Sequence, residues 1–380
     1  MTRFTRTSLV SKDRGVGVVG GPIACAALIT LSGLIGCVST GSADRATGEG
    51  GAAAKAFVPA ADSRIELTDG LNRVALEDGA VRFDRVIDTP GRGFRWDCPG
   101  ARMRWRTNST QTRAHLRYST GHTGTSRNSI GRFRVDGRSD PAWTFTRPAH
   151  GDATLVVEMP VPEGGSWHDY EIILPYGDSV DLLGVEVNRE AGLQQPTPRP
   201  SRRYVAFGDS ITHGFTASEV TNSYAFLVAE RNGWEIVNLG IGSRGTNGFD
   251  GAMLASIDGD VVSILIGVND WQAGAELSSF RRNYIELLQG LGTARVDRPV
   301  YIITPLWVPT TWKPSGEKYP LERYREIIRE VVAESGNARL KLVEGPRLID
   351  HDAALFDPIA VHPNDAGFAQ MAERLAEAMQ

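Results

Sequence analysis

The hydrophobic rhythm of the sequence changes once, near residue 200, and this change limits what the chain can fold into. Over residues 61–192, short segments such as 114–118 alternate apolar and polar residues between turn formers. This period-two pattern indicates an all-β sandwich or jelly roll. Residues 193–203 contain three prolines and no apolar run, which is typical of a linker. We therefore predict a β-sandwich domain, a linker, and a second domain over residues 204–380.

In the second domain, apolar strand-like runs alternate with segments of helical spacing. This alternation indicates an α/β domain in which helices cover both faces of a parallel sheet. Ligands of such sheets bind at the carboxyl ends of the strands, so site residues are expected directly after the strands. The predicted strands are residues 204–208, 235–239, 261–266, 300–304 and 340–343, and the predicted helices are residues 224–231, 277–291, 321–334 and 365–379.

Residues 1–37 have the pattern of an export signal. Four basic residues among the first 14 precede an uncharged run over residues 15–36, which is typical of a secretory signal. The run is also about long enough to span a bilayer, so an uncleaved anchor is the alternative. The sequence LIGC ending at Cys37 resembles the lipobox of bacterial lipoproteins. This resemblance implies acylation of Cys37 and anchoring to the outer face of the bacterial cytoplasmic membrane, with the small, polar residues 38–60 as a flexible tether.

Charge and cysteine content exclude two classes of protein. The formal net charge is −4, so no basic excess is available to displace counterions from nucleic-acid phosphates. Three cysteines do not make a disulfide scaffold. If the chain is cleaved at the lipobox, Cys25 leaves with the signal and Cys37 carries the lipid. Cys98 is then the remaining thiol, and we predict that it is buried and structural.

A serine in a tight turn follows the first strand of the second domain. The sequence GDSITHG occupies residues 208–214, with Ser210 at its third position. Such a turn can expose a hydroxyl and offer backbone N–H groups at a helix start. A capping serine or a phosphate loop is the alternative. The turn is not the G-x-S-x-G elbow of α/β-hydrolases, because Thr212 stands where the second glycine would be.

A glycine-rich stretch follows the second strand, beginning at Asn238. Gly240, Gly242 and Gly245 satisfy the pattern G-x-G-x-x-G. Asp260 stands about where a ribose-binding acid would be found, so a dinucleotide site is a rival interpretation. Two features oppose it. No clear helix follows these glycines, and they follow the second strand of the domain rather than the first.

Two further polar stretches complete the pattern. GVND ends at Asp270 after the third strand, and VHPND ends at Asp365 before the last helix. Taken singly, each is an ordinary turn or cap. Together, the four stretches resemble in order and spacing the blocks of the SGNH, or GDSL-type, hydrolase family, over about residues 203–380. This resemblance implies a three-layer α/β/α fold and ester hydrolysis. No cofactor is expected, nor a metal, since no His, Asp or Glu cluster has ligand spacing.

The resemblance also implies roles for single residues. Ser210 would be the nucleophile and His362 its base. The oxyanion donors would be the Ser210 N–H, a backbone N–H of Gly242 or Ser243, and the Asn269 side chain. The chemistry agrees, because a serine hydroxyl is a poor nucleophile until an imidazole of pKa near 6.5 takes its proton.

The sequence departs from the family pattern at two positions. Where the family usually has a glycine, five residues after the block's asparagine, this chain has Ser243. Where the family has an aspartate, three residues before the histidine, this chain has Ile359, and Asp357 lies two residues earlier. Either Asp357 completes a triad or the enzyme is a Ser–His dyad. Asp350 and Asp352 are further candidates for the acid.

A β-sandwich before such a catalytic domain is similar to carbohydrate esterase family 2, which implies O-deacetylation of a polysaccharide or glycoconjugate. Trp271, Trp307 and Trp312 lie close to strand ends and suit sugar rings, although each can instead pack in the core. Asp209, beside the nucleophile, is a further candidate substrate contact. Arg244 either contacts an acidic substrate or forms a surface pair. The alternative function is a non-catalytic, glycan-binding envelope lipoprotein on the same fold.

Overall fold

The computed structural model describes nine segments of the chain. The predicted signal over residues 1–37 and most of the predicted tether lie outside them, as do Trp312 and Ile359. Within the described segments, no helix has both the length and the apolar character needed to cross a membrane. The described residues are 54–85, 94–119, 129–148, 153–163, 165–199, 202–292, 298–310, 313–358 and 361–380.

Strands dominate the described chain up to residue 194, and helices and strands alternate after it. The strands are β1 Lys55–Pro59, β2 Glu66–Leu67, β3 Asn72–Ala75, β4 Val81–Asp84, β5 Arg102–Thr107, β6 Thr112–Ser119, β7 Ile130–Val135, β8 Thr144–Thr146, β9 Ala153–Glu158, β10 His168–Ile173, β11 Ser179–Asn188, β12 Leu193–Gln194, β13 Arg203–Gly208, β14 Glu235–Gly240, β15 Val261–Leu265, β16 Val300–Ile303 and β17 Leu340–Val343. The helices are α1 Ser210–His213, α2 Tyr224–Asn232, α3 Asp250–Ser256, α4 Val268–Gln272, α5 Leu277–Leu291, α6 Leu321–Glu334 and α7 Asp365–Ala378.

The first part of the described chain, which we call the β-rich region (residues 54–199), contains two antiparallel sheets. One has the strand order β3-β4-β11-β6-β9, with β1 also paired to β11, and the other has the order β12-β5-β10-β7-β8, with β2 also paired to β5. Alternate residues of β7 are buried, as a period-two pattern predicts. Side chains from both sheets, including Trp105 and Leu116, contribute to one apolar core. Cys98 is buried, as predicted, and burial raises the pKa of its thiol.

Ordered strands extend into both segments that the sequence analysis assigned to linkers. Strand β1 lies inside the predicted tether over residues 38–60 and pairs with β11. Strand β12 lies inside the predicted linker over residues 193–203 and pairs with β5. Farther along that linker, the Thr197 N–H and hydroxyl donate to the Asp169 carboxylate at 2.8 and 2.6 Å. Pairing with a neighbouring strand fixes these segments, and their composition does not reveal it.

The second part of the described chain, which we call the α/β region (residues 202–380), contains a parallel sheet. Its order is β14-β13-β15-β16-β17, and all four strand pairs are parallel. The central strands are almost wholly buried, which explains their continuous apolar runs. Strand β13 comes first in the chain yet lies between β14 and β15. The order of the strands therefore reverses at β13, and the carboxyl ends at such a switch point form a crevice where ligands bind.

Short helices are the main difference from the predicted α/β region. The predicted helices over residues 277–291 and 321–334 are present with those bounds. The pattern after the glycine-rich stretch predicts no clear helix, yet α3 forms there and packs against α5. Helices α1 and α4, of four and five residues, also escaped prediction. A helix this short has little stability of its own, so tertiary contacts decide whether it forms.

Candidate active site

Ser210 opens helix α1, separated by one residue from Gly208, where strand β13 ends. The Asp209 carboxylate caps this helix, because its Oδ1 accepts the Ile211 N–H at 2.9 Å. The turn into the helix needs a glycine at position 208, where a Cβ would overlap Thr212 and the carbonyl of Leu265. Asp209 is fully buried while Ser210 is half-buried. The cap thus points into the protein and leaves the serine accessible.

The Ser210 hydroxyl meets an imidazole from the other end of the α/β region. Ser210 Oγ and His362 Nε2 lie 2.8 Å apart, a distance that permits proton transfer between them. The His362 ring makes an edge contact with Phe215, with 4.7 Å between ring centroids. The Thr216 hydroxyl donates to the carbonyl of Pro363 at 2.7 Å. These contacts hold the histidine loop against the residues that follow α1.

The backbones of Asp357 and His362 are hydrogen-bonded to each other. The Asp357 N–H donates to the carbonyl of His362 at 2.8 Å, and Phe356 and Pro363 form an antiparallel bridge. Residues 357 and 362 are therefore neighbours although they are five apart in sequence. Downstream, the Asn364 side chain caps α7.

The other two candidate acids are held elsewhere. Asp350 forms an ion pair with Arg374 at 2.7 Å and accepts from the side chain of Gln370 at 2.7 Å. The Asp352 carboxylate caps a short turn through the Ala354 N–H at 2.9 Å. Both carboxylates therefore have local structural partners of their own.

The glycine-rich stretch after β14 is built around Asn238. Its Oδ1 accepts the Gly240 N–H at 2.9 Å, and its Nδ2 donates to the carbonyl of Thr212 at 2.8 Å. The asparagine thus links the stretch to α1. Ser243 has a φ of +60°, in the left-handed region that glycine adopts at little cost. This explains why glycine suits that position, and a serine there carries strain.

The residues required for a dinucleotide site are not brought together. Gly240 ends β14 at the carboxyl edge of the parallel sheet. The Asp260 carboxylate accepts the Arg203 N–H at 2.8 Å, and Arg203 begins β13 at the amino edge. Because the glycines and the acid lie at opposite ends of parallel strands, the rival interpretation loses its ribose-binding residue.

Asn269 lies in α4, at the end of β15. Its Nδ2 donates to the carbonyl of Arg244 at 3.0 Å, and its side chain is half-buried. The neighbouring Asp270 accepts the N–H and the hydroxyl of Thr246 at 2.9 and 3.0 Å. Burial raises the pKa of Asp270. These bonds join the loops after β14 and β15 and fix the direction of the Asn269 amide.

Two charged residues that we considered as substrate contacts face the interior. Asp209 is fully buried and acts as a cap, and burial raises the pKa of its carboxyl to about 7. Arg244 is 6% exposed, and its guanidinium lies over the ring of Phe207 at 4.5 Å. Burial lowers the pKa of Arg244 to about 10. Neither the predicted substrate contact of Asp209 nor a surface pair of Arg244 fits this placement.

The three tryptophans have different positions. Trp271 is 5% exposed, belongs to the apolar core and donates its Nε1–H to Glu317 at 3.3 Å, so its predicted role as a sugar contact is not supported. Trp307 is half-buried and stacks on His351, with 5.1 Å between ring centroids. It also touches Phe356 edge to face, next to the histidine loop. Trp312 lies outside the described residues.

The groups gathered around Ser210 differ in kind from a metal-ligand set. Within the described segments, no cluster of three or more His, Cys, Asp or Glu side chains is arranged to hold a metal ion. The groups that the strand ends collect are instead a hydroxyl, an imidazole, an amide and backbone N–H groups. This is the donor set of covalent acyl transfer.

Residues 206–370 match the family model of the GDSL-like lipase/acylhydrolase family. The chain carries a GDSL-like lipase/acylhydrolase domain. This confirms the family resemblance and supports an ester hydrolase. No curated protein matches the chain.

Solved structures share the fold of the GDSL-like domain together with the β-rich region. The salicylyl-acyltransferase SsfX3 from a tetracycline biosynthetic pathway is 19% identical, with a TM-score of 0.73, and the match covers 86% of this chain and 96% of that one. A family two carbohydrate esterase from Cellvibrio japonicus is 15% identical, with a TM-score of 0.64 and coverages of 87% and 100%. A family two carbohydrate esterase from Clostridium thermocellum, in complex with cellohexaose, is 17% identical, with a TM-score of 0.63 and coverages of 83% and 98%.

A buried pair beside the Ser210 turn of the GDSL-like domain was not predicted from the sequence. His213 Nε2 lies 2.7 Å from Asp97 Oδ2, and the two residues are 1% and 0% exposed. His213 is visible in the nucleophile block, three residues after Ser210. Asp97 precedes it by 116 positions in a different region, and no spacing rule connects them.

Proposed function

We propose that this chain is a serine esterase that hydrolyses O-acyl esters, specifically O-acetyl esters, on a carbohydrate. The observation that carries the proposal is the 2.8 Å contact between Ser210 Oγ and His362 Nε2 inside a GDSL-like domain. The family match supports an ester hydrolase. The shared fold with enzymes described as carbohydrate esterases supports a sugar as the carrier of the ester.

In this proposal His362 moves a proton twice. Ser210 Oγ attacks the ester carbonyl while His362 Nε2 takes the hydroxyl proton, and a tetrahedral oxyanion forms. The imidazolium then gives that proton to the leaving sugar oxygen, which leaves an acyl group on Ser210. A water molecule attacks this acyl-enzyme with His362 again as base, and the carboxylic acid is released as Ser210 regains its proton.

The oxyanion needs fixed donors at the carboxyl ends of β13, β14 and β15. We assign them to the Ser210 N–H, a backbone N–H of Gly242 or Ser243, and the Asn269 amide. The amide nitrogen carries two hydrogens, and one of them is engaged by the carbonyl of Arg244. The amide is thus oriented before substrate arrives, and the second hydrogen is available to the oxyanion. Loss of one such donor typically costs about 3 kcal/mol of barrier.

Asp357 is the residue we assign to orient His362. The backbone hydrogen bond between the two residues does not depend on the charge of the Asp357 carboxylate. The carboxylate therefore supports the position of His362 but is not required for it. If the carboxylate contributes nothing, the site is a Ser–His dyad in which the backbone alone holds the imidazole.

Sugar recognition is assigned to the aromatic surface next to the histidine loop. Trp307 is half-buried and stacks on the exposed His351. A flat aromatic face beside an ester site suits the apolar face of a sugar ring.

The finer architecture is also part of the proposal. Residues of both antiparallel sheets share one core, which supports a face-to-face sandwich for the β-rich region. Helices pack as the pairs α2 with α7 and α3 with α5, which supports a three-layer α/β/α arrangement for the second region.

We propose further that the protein is exported and anchored to the outer face of the bacterial cytoplasmic membrane by lipid on Cys37. The basic start, the apolar run and the LIGC sequence support this proposal. Radioactive palmitate fed to expressing cells should label the wild-type chain and leave a Cys37→Ala chain unlabelled. Equal labelling of the two would contradict the anchor.

Ester hydrolysis is tested with p-nitrophenyl acetate and with a panel of acetylated polysaccharides, from which released acetate is measured. We expect turnover by the wild type and a loss of about 10⁴-fold or more in kcat for Ser210→Ala. Ser335→Ala, at an exposed serine after α6, is the matched control and should keep full activity.

Equally slow hydrolysis by the wild type and Ser210→Ala would contradict the esterase. Retention of a polysaccharide without any turnover would favour the non-catalytic, glycan-binding alternative instead.

A further inference from the structure

A buried carboxylate of the β-rich region holds the end of the nucleophile helix. Asp97 Oδ2 accepts the Nε2–H of His213, the last residue of α1, at 2.7 Å. The same carboxylate accepts the Gly177 N–H at 3.1 and 3.2 Å, and a β-bridge joins Asp97 to Ser179. Because Asp97 is fixed on both sides within the β-rich region, it connects α1 to that region.

A buried guanidinium makes a second connection. Arg85 is 1% exposed, and its Nη1 donates to the carbonyl of Gly240 at 2.6 Å. Gly240 touches the end of α1 so closely that a Cβ on it would overlap the backbone of His213. Two residues of the β-rich region therefore hold the two backbone segments from which Ser210 and the glycine-rich stretch emerge.

Aromatic rings extend the contact to the neighbourhood of the base. Tyr176 makes an edge contact with His213, with 4.4 Å between centroids, and a further contact with Phe215 at 6.4 Å. Phe215 in turn contacts His362. Through these ring contacts, the β-rich region supports the segments that carry Ser210 and His362.

We propose that Asp97 and Arg85 are positioning residues for the reaction at Ser210, so that the β-rich region is part of the catalytic apparatus. This inference rests on the proposed esterase function. Helix α1 has only four residues and little stability of its own, so its neighbours fix the place of the Ser210 hydroxyl. A displacement of about 1 Å at a reacting atom can cost about 10²-fold in rate.

The pair acts by position and not by proton transfer. Burial lowers the pKa of His213 although the Asp97 carboxylate opposes this effect. The imidazole is therefore neutral near pH 7 and donates one fixed hydrogen bond. Such a bond between a buried donor and a buried carboxylate is directional and excludes water.

The test compares Asp97→Asn with Asp181→Asn. Asp181 is also fully buried, and its carboxylate pairs with Arg82 and Arg117 inside the β-rich region, away from α1. Active sites are counted by titration with a fluorophosphonate, and kcat and KM for p-nitrophenyl acetate are measured per titrated site. We expect kcat per site to fall by about 10- to 100-fold in Asp97→Asn, with KM within about twofold of wild type.

In Asp181→Asn, kcat per titrated site should stay within about twofold of wild type even if the protein denatures at lower urea concentration. A role in stability alone lowers the number of active sites in both variants and leaves kcat per site unchanged. Equal kcat per site in the two variants would therefore overturn the inference. If Asp97→Asn gives no folded protein, Arg85→Lys, which keeps the charge and loses the reach to Gly240, takes its place with the same expectation.

The rate at which fluorophosphonate labels Ser210 separates this inference from the proposed function. If the wild type is labelled but does not turn over esters, the esterase proposal fails. Slower labelling of Asp97→Asn than of Asp181→Asn still supports positioning in that case, and equal labelling rates overturn it. A wild type that neither reacts nor turns over substrate would overturn both.

Discussion

Two histidines lie near the nucleophile turn in surroundings that differ in access to water. His362 is half-buried on the loop before α7 and contacts the Ser210 hydroxyl at 2.8 Å. His213 is 1% exposed at the end of α1 and contacts the Asp97 carboxylate at 2.7 Å. In the proposed mechanism the first exchanges protons with the substrate, while the second is enclosed by protein.

The difference shows that a histidine paired with an aspartate does not identify a catalytic base. His213 has a carboxylate at 2.7 Å, yet burial lowers its pKa and keeps the ring neutral. His362 contacts the Ser210 hydroxyl instead. In the proposed mechanism, contact with this hydroxyl and access to solvent distinguish the base from the support, and both properties depend on the fold rather than on residue type.

The largest expected effect concerns this pair of histidines. In His362→Ala, kcat for p-nitrophenyl acetate should fall by about 10³-fold or more, because the serine loses its base. The free energy of unfolding should change little, since His362 is only half-buried. Initial rates and urea denaturation measure the two quantities on the same protein.

In His213→Ala we expect a larger loss of stability and a smaller loss of kcat than in His362→Ala. The His213→Ala substitution removes one buried hydrogen bond to the Asp97 carboxylate, which typically costs about 1.5–3 kcal/mol of stability, and it reduces kcat per active site less than His362→Ala does. A fall in kcat per active site in His213→Ala as large as that in His362→Ala would contradict this assignment of base and support.

A smaller effect is expected from a third buried group, the Asp209 carboxyl. Burial raises its pKa to about 7 from an ordinary value of 3.8. Between these two pKa values the folded protein retains a proton that the unfolded chain gives up. The stability contributed by protonated Asp209 is therefore present below about pH 4 and is lost as the pH rises to about 7. Relative to Asp209→Asn, which keeps an oxygen for the Ile211 N–H, the wild type should lose up to about 4 kcal/mol across this interval.

Urea denaturation of both proteins at pH 4.5, 6.0 and 7.5 measures this difference. Asp350→Asn is the control, because an ion pair with Arg374 lowers the pKa of that exposed carboxyl. The sign is then reversed, and the wild type gains stability relative to Asp350→Asn as the pH rises. A pH-independent difference between the wild type and Asp209→Asn would contradict the burial of an ionisable group at that position.

The parts of the fold that were predictable are those in which local pattern and tertiary burial coincide. Helices α5 and α6 and strand β17 have the predicted bounds, because a full amphipathic stripe or a buried apolar run carries enough information by itself. The bounds of β1 and β12 depend instead on partners in β11 and β5. Composition indicated a flexible tether at β1 and a linker or strap at β12, and pairing with neighbouring strands is not visible in composition.

The candidate site divides in the same way. Ser210, Asn269 and His362 stand in short motifs at strand or helix ends, and the fold brings them to one edge of the sheet. Asp97 and Arg85 belong to no motif, since their partners are a side chain and a carbonyl more than a hundred residues away. The burial of Trp271 also depends on tertiary packing, which no local spacing of tryptophans reveals.

The smallest expected effect concerns the acid of the histidine loop. In Asp357→Asn the backbone bond to the carbonyl of His362 remains, while the negative charge of the side chain is removed. We expect kcat to fall by about tenfold, far less than in His362→Ala. Asp352→Asn, whose side chain caps a nearby turn, is the matched control and should stay within about twofold. A fall of about 10⁴-fold in Asp357→Asn, the size seen when a triad aspartate is neutralised in serine proteases, would instead make Asp357 a full triad member.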